Sequence, residues 1–229
     1  MVMPTYPGPF VKSGASPWKE YLHFGMKRSF QANVVLLHPD DSCGHLYYVE
    51  QGEILATHFS SPQDSYKVNV IGENTVAGIF EMYAPCPPKA SWRTLSPTVC
   101  RLFSKECVEN DLPRHLLITL LEQCAFMGIS MADRFAHGLN KRNDVRLARF
   151  LLHFAESRPG IREGKEASIT ILPHITQEMC GELLGMHPVT FNKLLAAFRS
   201  RGIIGKTKKS GLQILAVDEL ARYAEGGKD

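Results

Sequence analysis

Residues 183–217 contain no acidic side chain and six basic ones: Lys193, Arg199, Arg201, Lys206, Lys208 and Lys209. The whole chain carries a net charge of only +3 over 229 residues, so this window is where an anion is drawn. It begins in a stretch patterned as two helices, Ile175–Ile204. Thr176 is suited to N-cap the first helix, with Gln177 and Glu178 in its first turn and Met179, Leu183 and Leu184 on its apolar face. Gly185 stands where that helix must stop. Pro188 is tolerated in the first turn of the next, where no backbone N–H is needed. Phe191, Leu194, Leu195 and Phe198 then make one buried face, which leaves Val189, Asn192, Lys193 and Ala196 outward.

The pattern predicts a helix-turn-helix. Ile203–Ile204, the basic KTKKSG turn and Leu212–Leu215 add two short strands, a wing. A solvated helical hairpin is the alternative that an acid-free, basic window disfavours.

Upstream the texture changes twice. Val34–Leu37, Leu46–Val49, Ile54–Phe59, Tyr66–Ile71, Ala90–Leu95 and Val99–Phe103 are rich in β-branched and aromatic residues and separated by turn signals, which predicts a sandwich or barrel. Residues 1–20, rich in Pro and Gly, read as an irregular arm. From Leu112 to Asn140 the period is helical. Leu117, Leu121, Cys124, Gly128, Met131, Phe135 and Gly138 step by four and three, a stripe for the chain's own β-domain or for a partner copy; a homodimer is favoured. Val145–Glu156 is a further amphipathic helix, and Ser168–Leu172 a short strand. The fold class is α+β, with a β-roll over 1–111, a long helix over 112–140 and a winged helix-turn-helix over 141–229.

No apolar run approaches the roughly 18 residues of a membrane span. The N-terminus has no basic segment followed by an apolar core, so no signal peptide and a cytoplasmic location are expected. Cys43, Cys86, Cys100, Cys107, Cys124 and Cys180 form no C-x-x-C pair, which favours free thiols over a metal centre; no cofactor or metal is expected. A thiol switch at Cys86, Cys107 or Cys124 is conceivable, though nothing around them demands it. Cys43, His45 and Glu50, with His38 and His58 nearby, loosely match the first metal motif of cupin oxygenases. No histidine lies between His58 and His115 to supply the second, so an enzymatic reading is not favoured.

Taken together, Leu46-Tyr47-Tyr48-Val49 with Gly52, the Arg146-x-Ala148-x-x-Leu151-Leu152 helix and the 175–204 block resemble the Crp/Fnr superfamily of bacterial transcription regulators over residues 28–225. Gly185-Met186-His187-Pro188-Val189-Thr190 is similar to a stretch in the chlorophenol-reduction (halorespiration) regulators. The resemblance implies a dimer on a palindromic duplex DNA operator, RNA polymerase as partner, and a β-domain that senses a small-molecule effector. Pro188, Val189, Asn192 and Lys193 fall where the family reads bases, and His187 beside them is a further DNA-binding candidate. Thr176, Thr190, Lys206, Lys208 and Lys209 fall where phosphate is contacted. Val189 replaces the family's acid and Lys193 its arginine, so a different operator is expected.

The family's cyclic-nucleotide binders carry a Glu for the ribose and Arg-Ser for the phosphate. Ile79 and Lys89-Ala90 stand there instead, which argues against a cyclic nucleotide. Phe80, Tyr83, Trp92, Met127 and Met131 are candidate apolar walls for another effector, with Lys89 and Arg93 as an anion-binding end. A constitutive regulator whose roll senses nothing is the remaining alternative.

Overall fold

The computed structural model describes residues 9–11, 16–61, 63–156, 176–206 and 212–226. They divide into two compact units, Phe10–Ile129 and Ser130–Asp229.

The first unit is built from two sheets. Strands β1 (Phe10–Val11), β2 (Met26–Phe30), β3 (Val35–Leu37), β4 (His45–Gln51), β5 (Ile54–Ser61), β6 (Asp64–Ile71) and β7 (Val76–Ala77) are followed by the short helix α1 (Ile79–Tyr83) and by β8 (Ala90–Thr94) and β9 (Thr98–Ser104). One sheet runs β1-β6-β5-β8-β3, the other β2-β9-β4-β7. The pairing is antiparallel except for β1 on β6, which is parallel. The six strands expected from β-branched and aromatic content are all present. Met26–Phe30 escaped that reading because its side chains are mostly exposed and polar.

Residues 17–24 correct the expectation of an irregular arm. Pro17–Phe24 is a 3-10 helix capped by Ser16, and it plants Trp18 in the core at 1% exposure. Trp18 meets Phe103 edge-on at 5.1 Å and stacks with Tyr48 at 6.3 Å. The same core holds Leu46, Val76, Met82 and Val108, and, from the long helix, Leu116 and Leu120. A second core holds Leu37, Val49, Ile54, Ile71, Trp92 and Cys100.

After α2 (Lys105–Asn110), Pro113 opens the long helix α3 (Arg114–Asn140). Its buried positions are Leu116, Leu120, Gln123, Phe126, Met127 and Ser130, not the stripe expected from the sequence. Within that stripe Leu117 and Cys124 are half-buried, while Leu121, Gly128, Met131 and Phe135 are exposed. Among the apolar residues left outward, Ile118, Leu121, Ala125, Gly128, Ala132, Phe135 and Leu139 again follow spacings of three and four, with Ile129, Met131, Ala136 and Gly138 exposed beside them. Two apolar faces on one helix also make Arg114–Ala136 long and apolar enough, by length and composition, to cross a membrane, a point the count of uninterrupted apolar residues missed.

The second unit continues with α4 (Asn143–Glu156), α5 (Gln177–Leu183), α6 (Pro188–Ser200), β10 (Ile204–Lys206), β11 (Leu212–Ile214) and α7 (Val217–Ala224). The strands pair as a hairpin, Ile204 against Ile214 and Lys206 against Leu212. The expected strand at Ser168–Leu172 lies outside the described residues. Leu147, Leu151 and Phe154 of α4, Leu195 and Phe198 of α6, and Leu220 of α7 are fully or almost fully buried.

Candidate nucleic-acid interface

The site is the pair α5–α6 and the hairpin behind it. Thr176 caps α5 as its side chain accepts from the Met179 N–H at 3.1 Å. Cys180, Gly181 and Leu183 are its buried residues, while Met179 and Leu184 are only half-covered. Gly185 then turns the chain at φ +59°, a left-handed conformation that a side chain strains. Its N–H donates to the Glu182 carbonyl and that of Met186 to the Gly181 carbonyl, which closes the helix end. Arg146 of α4 donates to the Leu184 carbonyl and to Asn143 Oδ1, so a cation sits where the α5 dipole is negative. Burial holds the Arg146 guanidinium below its ordinary pKa.

α6 starts at His187, whose Nδ1 accepts from the Val189 N–H at 3.3 Å, followed by Pro188 in its first turn. Phe191, Leu195 and Phe198 face inward and Leu194 is half-buried. His187, Pro188, Val189, Asn192, Lys193 and Ala196 are exposed, and Thr190 is half-buried. The sequence-predicted base-reading residues are therefore gathered on one solvent-facing surface, with Thr176 exposed at the head of α5. Lys208 and Lys209 lie outside the described residues; Lys206 belongs to β10.

The six basic residues are not equivalent. Arg201 lies over the Tyr223 ring at 5.6 Å, and Arg199 is half-buried in the last turn of α6. Lys193 stands outward. Counting charge in the sequence could not separate these roles, because the aromatic that engages Arg201 is 22 residues away on α7.

The candidate effector residues differ in their settings. Trp92 is 1% exposed and packs edge-on against Tyr47 at 5.6 Å inside the second core. Arg93, its neighbour on β8, is exposed: successive strand residues point to opposite faces, so the two cannot line one wall. Lys89 is exposed too. Phe80 and Tyr83 are exposed on α1, with Lys105 Nζ 5.3 Å from the Tyr83 ring centre. Met127 is buried in the first unit; Met131 is exposed and belongs to the second. An acid that sequence reading passed over, Glu81 on α1, lies within reach of the Trp92 indole, and burial raises its pKa. Gly78, at φ +102°, allows this approach, since a Cβ there would sit 2.9 Å from the Trp92 ring.

Five of the six thiols are held in their protonated form: burial pushes Cys43 up to about 11 and Cys100 and Cys180 to about 12, and it raises Cys107 and Cys124 as well. In the group that resembled a cupin motif, Cys43 donates to the His45 carbonyl at 3.2 Å and Glu50 is paired with Arg101 at 2.7 Å and Lys27 at 3.4 Å. Among the described residues, no three His, Cys, Asp or Glu side chains converge as metal ligands.

Residues 145–223 match the family model of the Crp-like helix-turn-helix domain. No curated protein sequence matches the chain. Solved structures do. OCPA-complexed CprK (C200S) superposes with a TM-score of 0.71 at 20% identity, over 94% of this chain and 96% of that one. FixK2 from Bradyrhizobium japonicum gives 0.72 at 16%, over 87% and 96%. TTHA1359, a CRP/FNR-family transcriptional regulator from Thermus thermophilus, gives 0.64 at 18%, over 87% and 98%. The chain thus carries, over residues 145–223, a segment matching the Crp-like helix-turn-helix domain, and it shares the fold of solved CRP/FNR-family regulators.

Proposed function

We propose that this protein is a dimeric, effector-responsive transcription regulator that reads a palindromic operator through α6. The observation that carries this reading is the outward face of α6: Pro188, Val189, Asn192 and Lys193 stand free of the core in a stretch without an acid. Lys193 is suited to donate to guanine O6 and N7, and Val189 to touch a thymine methyl. Thr176, Thr190, Lys206, Lys208 and Lys209 supply backbone contacts that set position without specifying sequence.

The exposed stripe of α3 supports a homodimer, in which a second copy covers Leu121, Phe135 and Leu139, each about 70% exposed in a single chain. Covering this face also accounts for the helix's apolarity without a membrane, consistent with a cytoplasmic protein that works with RNA polymerase. The effector is a small molecule bound by the first unit around α1 and β8, and not a cyclic nucleotide: Ile79 holds the place of the ribose-binding acid, and Lys89 is turned to solvent. One structural neighbour is complexed with OCPA, which favours screening small organic acids first.

Selection of bound sequences from a random DNA pool, at stated salt, tests the reading. A palindrome with half-sites about one helical turn apart is the expected result. No enrichment, with and without candidate acids, would overturn it. A thermal-shift screen adds the effector; cyclic nucleotides are expected to leave the melting temperature unchanged.

A further inference from the structure

α3 meets the roll through apolar side chains, with one polar side chain among them. Within the first unit Leu116, Leu120, Gln123, Phe126 and Met127 are its buried positions, and Gln123 is 7% exposed. A buried carboxamide without partners is costly, and a purely apolar face leaves a helix free to slide or roll by small steps. Gln123 has partners of a particular kind. Its Nε2 donates to the Val76 carbonyl at 2.6 Å, and its Oε1 accepts from the Val76 N–H at 3.4 Å. Both groups belong to one residue of β7, which is the last strand of its sheet. On the inner side β4 takes the neighbouring groups: the Val49 N–H donates to the Thr75 carbonyl at 2.9 Å, and the Asn74 N–H to the Val49 carbonyl at 2.8 Å. The Val76 groups thus point out of the sheet, where an edge strand is open, and Gln123 takes them as an added strand would.

We infer that Gln123 is the positioning residue that fixes the rotation and axial register of α3 on the roll. Its amide pair has one solution, since a shift of one helical residue carries it away from Val76. With Gln123 turned to the sheet edge, Ile118, Leu121, Ala125 and Gly128 are turned outward on the opposite side of the same helix. The clamp therefore decides which face the first unit offers to a second copy. This rests on the dimer proposed above, and it deepens that reading by naming the side chain that sets its geometry.

The test is Gln123→Met, which fits the volume and the chemistry of the surrounding face but offers Val76 neither donor nor acceptor. Three quantities are measured on the full chain: far-UV circular dichroism, hydrogen exchange at the Val76 amide, and the dimer dissociation constant by sedimentation. The expected result is an unchanged spectrum, Val76 exchange at least tenfold faster, and a dimer at least tenfold weaker. Unchanged Val76 protection would overturn the proposal. So would faster exchange with the dissociation constant within twofold of wild type, since Gln123 would then only satisfy an edge. Should the Met variant fail to fold, Gln123→Glu serves in its place: it still accepts from the Val76 N–H but, when ionised, cannot donate to the carbonyl, and the same two readouts apply. A wild-type chain that selects no DNA sequence would sink the operator reading while leaving these measurements to decide the clamp.

Discussion

The two units keep their chemistry in opposite places. In the helix-turn-helix, what matters for recognition is what the core leaves over: Phe191, Leu195 and Phe198 go in, and Val189, Asn192 and Lys193 remain outside. In the roll, the side chains that looked like ligand contacts are divided between core and surface. Trp92 is core, and Arg93 beside it is on the other face of β8. A surface that binds a large, flat partner is specified by one helix's periodicity. A pocket is specified by which strands lie opposite one another, and that is a property of the whole sheet.

The largest effect that separates the two units is at Trp18. Trp18→Ala removes a side chain wedged between Tyr48 and Phe103, and such deletions cost about 3–5 kcal/mol. The urea midpoint of the first unit should fall accordingly. A loss under about 1 kcal/mol would mean that Pro17–Phe24 is a detachable arm after all.

Next is the face of α3 that a single chain leaves bare. Leu121→Asp or Phe135→Asp places a charge on a position 69% or 70% exposed, so the monomer should keep its stability. In a dimer the same charge is buried without a partner, at a cost of about 3–5 kcal/mol, or more than a hundredfold in dissociation constant. Sedimentation at several concentrations reads this directly. A dimer of unchanged strength would move the interface elsewhere.

How much was legible follows the same division. Thr176 and Pro188, the turn at Gly185 and the inward side chains of α6 were legible because each is a local signal, decided within about one turn by capping, φ or spacing. Six of the roll's strands were legible for the same reason. Trp18 was not: nothing in Ser16-Pro17-Trp18 says that strands some 30 and 85 residues away will close around it. The stripe on α3 was half-legible. Leu121, Gly128 and Phe135 belong both to the expected register and to the exposed one, and only the roll's claim on Leu116, Leu120 and Gln123 separates them. Glu81 went unseen because its interest lies in its nearness to Trp92, which depends on Gly78.

Two basic residues sharpen the contrast inside the second unit. Lys193→Ala should leave the melting temperature unchanged, weaken a specific site by about 1–3 kcal/mol and relax preference at one base position. Arg201→Ala should do the reverse, costing about 0.5–1 kcal/mol of stability as its contact with Tyr223 is lost, with little change in base preference. Equal losses on all sequences for Lys193→Ala would make it a phosphate contact and remove it from the reading face.

A similarly small effect lies on the roll, at Glu50. Burial pushes its carboxyl pKa up, but the Arg101 guanidinium and the Lys27 ammonium more than offset this and hold it below the ordinary glutamate range. A folded-state pKa below the unfolded one means that the ion pair adds stability above the ordinary range and loses it as pH falls through the depressed value. The contribution is about 1 kcal/mol for a pair this near the surface. Glu50→Gln should therefore lower the urea midpoint slightly at neutral pH, and the gap between variant and wild type should close on acidification below about pH 4. A gap that stays constant with pH would mean that Glu50 acts through its packing and not its charge.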